Sequence, residues 1–183
     1  MNLTRLITVE DASALGDLVT ANREFMAPWD PIRDEAYFTA EGQREAIQEV
    51  LERHDQGSAL PHVILDENRN VVGRITLSGI VRGPFLSCSV GYWVNADHNG
   101  RGLASAAVAD IKRIAFSTLG LHRVQAETLI HNGASQAVLE RNDFTQIGLA
   151  PQYLNIAGHW QDHLLYQAIN PALGDRRGEP NPA

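Results

Sequence analysis

Apolar and polar positions change period several times along the chain, and each change marks an element. Residues 3–10 alternate, Leu3, Arg5, Ile7 and Val9 against Thr4, Leu6 and Thr8, which predicts a first strand ending at the helix-start residues Asp11-Ala-Ser13. Leu15, Leu18, Val19 and Asn22 then recur at helical spacing until Pro28 closes the segment. A second helical pattern spans about 33–54, with Ala46, Ile47, Val50 and Leu51 on one face and charges on the other. Two β-branched runs, 60–65 and 71–77, flank Asp66-Glu-Asn-Arg-Asn70 and read as a hairpin. Residues 85–94 form the fourth predicted strand.

Leu103, Ala107, Ile111 and Ala115 predict a helix from near Gly102 to a C-cap at Gly120. A fifth strand covers 121–130, Asn132-Gly-Ala-Ser135 opens a short helix over 135–142, and strands over 145–156 and 162–169 follow. From Asn170 onward, proline, glycine and charge predict a disordered tail over 170–183, leaving 1–169 as a single domain. The order is strand, two helices, three strands, helix, strand, helix, two strands. It implies an α/β (mixed α+β) chain whose mixed sheet is crossed by a helix after the fourth strand.

The stretch 89–105 carries the strongest chemical signal. Val90, Tyr92 and Val94 alternate as a strand, Asn95 to Asn99 is turn chemistry, and the helix starts at once after Gly100-Arg101-Gly102. Glycines let the backbone approach a ligand, and the first amides of a helix have no intrahelical partner and sit at its positive dipole end. Such a turn holds a pyrophosphate, although a bare surface turn has the same spacing. A P-loop is excluded because no lysine and serine follow Gly102 in register. A dinucleotide fingerprint lacks its third glycine, since Ser105 stands there, and the chain is short for a doubly wound domain.

At 183 residues, 44% hydrophobic and 20% charged, the chain can bury a core without staples. Its single cysteine, Cys88, forms no internal disulfide, which suits a reducing compartment; a nucleophilic role for it stays open. With no long apolar segment, the expected location is cytoplasmic. A formal net charge of -7 disfavours nucleic acid and anionic membrane as partners and is compatible with a cationic substrate. Seven histidines form no His-Glu-x-x-His, and His159 and His163 fall on strand and turn, so no metal is expected. No Gly-x-Ser-x-Gly elbow supports a serine hydrolase.

The loop resembles motif A of the GNAT acyltransferases, Gln/Arg-x-x-Gly-x-Gly/Ala, here with Asp97 at the first position. Asn132-x-x-Ser135 followed by Arg141-Asn-Asp-Phe144 resembles that family's next segment, with Asp143 in place of the usual glycine. The stretch from Tyr153 through Gly158, Trp160 and Asp162 resembles the RimJ and RimL subgroup, ribosomal-protein N-terminal alanine/serine acetyltransferases, as does Asn22 with Pro28-Trp29. The resemblance implies the GNAT fold, with about seven mostly antiparallel strands and about four helices. It implies acetyl-coenzyme A as co-substrate, no metal, and direct attack by a primary amine within a ternary complex.

Residue roles follow from the same resemblance. Asn99, Gly100, Arg101, Gly102, Leu103 and Ala104 are expected to hold the coenzyme's pyrophosphate, with Trp93 beside the strand contact and the Val94 amide on the thioester carbonyl. Asn132 is expected on the pantetheine arm; as a turn asparagine it would look the same. Trp29, Tyr92, Tyr153 and Trp160 would wall the acceptor groove. Glu127, five residues before Asn132, matches a general base of related N-terminal acetyltransferases, though RimJ and RimL do not keep it; a solvent-facing strand carboxylate is the alternative. An α-amine with pKa about 8 is about a tenth neutral at pH 7, against about a thousandth for lysine, so a weak carboxylate base suffices for the former. Many family members protonate the leaving thiolate with a tyrosine where this chain has Leu139, which leaves Ser135 as the hydroxyl, or as a first-turn helix residue.

The leading expectation is an N-acetyltransferase for a protein N-terminal alanine or serine, such as that of a ribosomal protein, acting as monomer or homodimer. A small-molecule amine acetyltransferase is the enzyme alternative. The departures at Asp97, Leu139 and Asp143 keep a non-catalytic acyl-coenzyme A-binding module in view.

Overall fold

The computed structural model describes residues 3–173. The first strand, β1 (Thr4–Leu6), is shorter than its alternation predicts. The Asp11 carboxylate reaches back to the Thr8 N–H at 2.8 Å and to the Arg5 guanidinium at 2.6 and 2.8 Å, which turns 9–11 into a single 3-10 turn. Two helices follow, α1 (Ala12–Ala21) and the one-turn α2 (Arg23–Met26). The expected helix over 33–54 is two pieces, a 3-10 turn over Glu35–Phe38 and α3 (Ala40–Asp55), because Thr39 is extended and caps α3 through its hydroxyl on the Gly42 N–H.

Strands β2 (Leu60–Leu65), β3 (Val71–Val81) and β4 (Ser87–Val94) form an antiparallel meander. Helix α4 (Leu103–Ser117) crosses over to β5 (Arg123–Leu129), and α5 (Gly133–Glu140) leads to β6 (Thr145–Ile156) and β7 (His159–Ile169). Helix α5 starts at Gly133 rather than Ser135, since Asn132 is its cap. β7 begins before residue 162 because Ala157 and Gly158, both at positive φ (51° and 83°), close a two-residue hairpin. Asn170, the first residue of the expected tail, is instead buried and donates to the Leu121 carbonyl at 3.0 Å. A 3-10 turn follows at Pro171–Leu173, and positions 174–183 lie outside the described residues.

The sheet order is β1-β2-β3-β4-β5-β7-β6. Every neighbouring pair is antiparallel except β4 with β5. One face packs Ile75, Leu77, Val90 and Val94 against Ala107, Ile111 and Leu139 of α4 and α5; the other packs Val63 and Leu65 against Leu15, Ile47 and Val50 of α1 and α3. Apolar stripes at helical spacing thus cover both faces of the sheet, as such a two-sided layer requires.

The β4–β5 pair determines where function sits. Only Ser87, Cys88 and Ser89 pair with Arg123, Val124 and Gln125; beyond them the strands diverge while β4 stays laddered to β3 and β5 to β7. Gly73 holds β3 against the diverging end of β4, for a Cβ there would meet the Trp93 carbonyl oxygen at 2.3 Å and the Val94 Cα at 3.0 Å. Gly73→Ala is therefore expected to destabilise the fold by about 2–3 kcal/mol through overpacking against backbone. The midpoint of denaturant unfolding reads this, and an unchanged midpoint would contradict it.

Candidate active site

The turn that leaves β4 is fixed by side chains from distant elements. Asn22, buried at the end of α1, accepts from the Ala96 N–H at 2.8 Å and donates to the Leu18 carbonyl at 2.8 Å. Asn95 donates its own N–H to the Val72 carbonyl, and its side chain accepts from Asp97. Gly100 and Gly102 then take left-handed φ values of 75° and 78°, and nothing lies within 4 Å of where their Cβ atoms would be. The open side of the turn faces the first amides of α4, which no capping side chain covers. Asn142 ties the start of α4 to the end of α5, donating to Ser105 and Val138 carbonyls at 3.1 and 2.9 Å.

Where β4 and β5 part, a cleft of about 1350 Å³ runs between them. Strand alternation gives it two chemically distinct walls. Tyr92 and Val94 face the α4–α5 side, where Asn132, Ser135 and Leu139 also line the cleft. Trp93 faces the α1–α3 side with its cross-strand neighbour Arg74, and Phe25, Trp29 and Tyr37 close that half.

On the first wall the Tyr92 and Ser135 hydroxyls are 2.9 Å apart, and Asn132 accepts from the Ser135 N–H at 3.0 Å. Burial pushes the Tyr92 phenol up to about 12, against the opposing bond to Ser135, so the ring keeps its proton across the neutral range. Leu139 is fully buried in the core, and the hydroxyl beside Ser135 comes from the strand across the cleft instead. The Thr128 hydroxyl, also lining the cleft and buried, has no protein partner. A wall of open amides, glycine turn and unpartnered hydroxyl matches the donors that a pantetheine arm and its phosphates need.

On the second wall Glu127 is partly buried and accepts from the Ser89 hydroxyl at 3.0 Å. Burial raises its pKa, and the Ser89 bond and the charge of His163 offset only part of that rise. Cys88 is buried in the core on the opposite, α4–α5 face, its thiol pushed up to about 12 by burial, which leaves no thiolate for attack at neutral pH. His159 and His163 lie four residues apart on β7, about 13 Å along a strand, too far to share an ion. His163 instead bonds the Gln161 carbonyl at 2.9 Å.

The cleft brings together Trp29, Tyr92, Trp93, Val94, Asn99, Gly100, Gly102, Leu103, Ala104, Glu127, Asn132 and Ser135. Arg101, Tyr153 and Trp160 are not in its lining. Arg101 points outward from the turn, and Trp160 is 63% exposed on the β6–β7 hairpin. Tyr153 reaches the site through His163, ring centroids 5.7 Å apart, and its phenol is close enough to feel the Glu127 carboxylate. Sequence reading passed over Arg74, Thr128 and His163. Arg74 had a signal, a charge inside the apolar run Val71 to Leu77, whereas the strand neighbours that bring Thr128 and His163 inward are set only by pairing.

A mixed seven-stranded sheet parted beside a glycine turn that opens onto a helix N-terminus defines a GNAT-type acyltransferase scaffold. Residues 2–145 match the acetyltransferase (GNAT) domain family, and the chain belongs to that family. It is 34% identical over 170 residues to the [ribosomal protein uS5]-alanine N-acetyltransferase of Escherichia coli (strain K12), covering 92% of this chain and 88% of that one. The crystal structure of ribosomal-protein-S5-alanine acetyltransferase from Vibrio fischeri superposes with a TM-score of 0.88 at 34% identity, covering 94% of both chains. Mycobacterium smegmatis RimJ in complex with CoA-disulfide gives a TM-score of 0.89 at 29% identity, over 94% of this chain and 83% of that one. The protein is thus an acetyl-coenzyme A-dependent acetyltransferase, and among the described residues no helix is long and apolar enough to cross a membrane.

The Asn22 bridge yields a direct test of how the coenzyme turn is held. Asn22→Ala orphans the Ala96 N–H and is expected to cost about 1–3 kcal/mol of stability. Calorimetric titration with coenzyme A should show weaker binding as well. Unaltered stability and affinity would show that the turn holds its shape without Asn22.

Proposed function

We propose that the acceptor is a protein N-terminal α-amine, alanine or serine first, and that residues 1–169 act as one catalytic domain in the cytoplasm, as monomer or homodimer. The observation that carries this reading is Glu127, a partly buried carboxylate in the lining where β4 and β5 part. An α-amine with pKa about 8 needs only a modest base, and a carboxylate raised by burial is better matched to it than an ordinary one. The E. coli and V. fischeri relatives bear the names of enzymes acting on alanine of a ribosomal protein, which supports the same acceptor class. Tyr153 and Trp160 do not line the cleft and are exposed, which favours a groove open to a chain end over a pocket closed around a small amine.

The coenzyme supplies an activated acyl thioester. The protein's own groups do the rest. Gly100, Gly102 and the amides of Leu103 and Ala104 bind phosphate, Arg101 adds charge at the rim, and Asn99 and Trp93 line the approach. Asn132 uses its side-chain oxygen to cap α5, which leaves its amide N–H groups for the pantetheine arm. The Val94 amide holds the acyl carbonyl, and Trp29 and Tyr153 flank the incoming chain, with Trp160 at the outer rim. Glu127 takes the amine's proton, directly or through water. Ser135, hydrogen-bonded to the Tyr92 phenol, gives a proton to the leaving thiolate and regains one through that phenol, which water in the open cleft reprotonates.

Mass spectrometry after incubation with acetyl-coenzyme A and a peptide library tests the acceptor. Acetyl groups are expected on the α-amine of Ala- and Ser-initiated peptides; acetylation confined to lysine side chains or small amines would contradict the reading. Glu127→Gln is expected to lower turnover roughly ten- to ten-thousandfold at neutral pH. Because Glu127 must be ionised, the wild-type rate should fall as pH drops through a pKa above the ordinary carboxylate range, and the variant should lose that limb. Its deficit should shrink as pH nears the amine's own pKa. Tyr92→Phe and Ser135→Ala should instead show losses that persist at high pH, with coenzyme binding little changed; losses that vanish there would contradict proton delivery to the thiolate.

A further inference from the structure

The α1–α3 half of the cleft is lined by charge of both signs, with Asp30, Glu49 and Glu127 as its acids. Three arginines line it, Arg33, Arg53 and Arg74. Two are neutralised locally: Arg33 by Asp30 at 2.9 Å, and Arg53 by Glu49, one turn earlier on α3. Arg74 has no hydrogen bond or ion pair among the described residues. It is partly buried, and that burial lowers its pKa, yet a guanidinium stays charged at any working pH. A partly desolvated charge without a counter-ion is costly, and a carboxylate entering the cleft would offset that cost. Its remaining charged surroundings include Arg33 and Arg53, which repel it further.

The coenzyme does not account for this charge. Arg74 pairs across the ladder with Trp93 and shares its face of the sheet, the α1–α3 face, whereas the open turn and the first amides of α4 serve the opposite one. On the acceptor face a continuous row links Arg74 to Glu127. Arg74, Thr76 and Ser78 stand opposite Trp93, Gly91 and Ser89, and Ser89 bonds Glu127. Four residues of strand separate Arg74 from Ser78, about 13 Å, which is about four residues of an extended peptide.

Resting on the N-terminal acceptor reading, we propose that Arg74 is a specificity residue that binds a side-chain carboxylate at the third to fifth position of the acceptor peptide, with the amine at Glu127. The arginine fork accepts a carboxylate in two parallel hydrogen bonds, and the hydroxyls of Thr76 and Tyr37 line the same stretch. The acceptor is then a chain end with an acidic residue shortly after its first, whatever the charge of the protein behind it.

The test is steady-state kinetics at low salt on Ala-initiated peptides differing only in Glu or Gln at one of positions two to six. Wild type is expected to favour Glu at position three, four or five by about tenfold or more in kcat/KM, mainly through KM, and less at high salt. Arg74→Gln should bring that ratio near one, Arg74→Lys should keep part of it, and Arg74→Glu should favour Lys in the same position. The ratio is read within each variant, so partial loss of folded enzyme does not obscure it. A wild-type ratio near one at every position, or one that survives Arg74→Gln, overturns the carboxylate subsite and leaves the N-terminal acceptor standing. Weaker acetyl-coenzyme A binding by Arg74→Gln with an unchanged ratio likewise overturns it. If wild type acetylates small amines and no peptide, both readings fall.

Discussion

The parting of β4 from β5 after three paired residues is the constraint on which the rest depends. Each strand keeps a full ladder on its other side, so the sheet loses little strength, but the facing edges over 90–94 and 126–129 are left with backbone groups that need partners. A cosubstrate arm laid between them satisfies that need in the manner of an added strand. The gap also joins the two faces of the sheet. Hydroxyls and open amides gather on the α4–α5 side, and Glu127 with Arg74 on the α1–α3 side, so the two walls differ in chemistry.

Distant polar side chains hold this opening in shape. Asn22 links α1 to the coenzyme turn, Asn142 links α5 to α4, and Gly73 lets β3 lie close behind the diverging end of β4. The Tyr92 and Ser135 hydroxyls show how the arrangement adapts. With Leu139 given to the core, a phenol reaches Ser135 from β4 instead, on the other side of the same cleft. Chemistry of this kind depends on where an oxygen ends up, not on which element delivers it.

Element order, the glycine turn and most of the cleft lining were legible in the sequence because they follow from local periods and short motifs. The boundaries that shifted were set by single side chains. Asp11 ended β1 early, Thr39 split the helical run, and Asn132, by capping α5, started it at Gly133. What local pattern could not show was pairing. The Tyr92–Ser135 contact spans 43 residues and the Ser89–Glu127 contact 38, and neither leaves a mark on its own segment. Tyr153 and Trp160 sit in a matching motif, but neither lines the cleft, and Arg74 acquires its meaning only from the absence of a partner.

The central claim is that one passage seats both reactants at once and that no enzyme group carries the acetyl between them. Cys88, the one thiol, is buried with its pKa raised, which agrees with direct transfer. Initial-rate kinetics with acetyl-coenzyme A varied at several fixed concentrations of amine test this directly. Direct transfer predicts double-reciprocal lines that intersect, with no acetylated enzyme in intact-mass spectra when acetyl-coenzyme A is supplied alone. Parallel lines together with a stoichiometric mass gain of one acetyl group would contradict it.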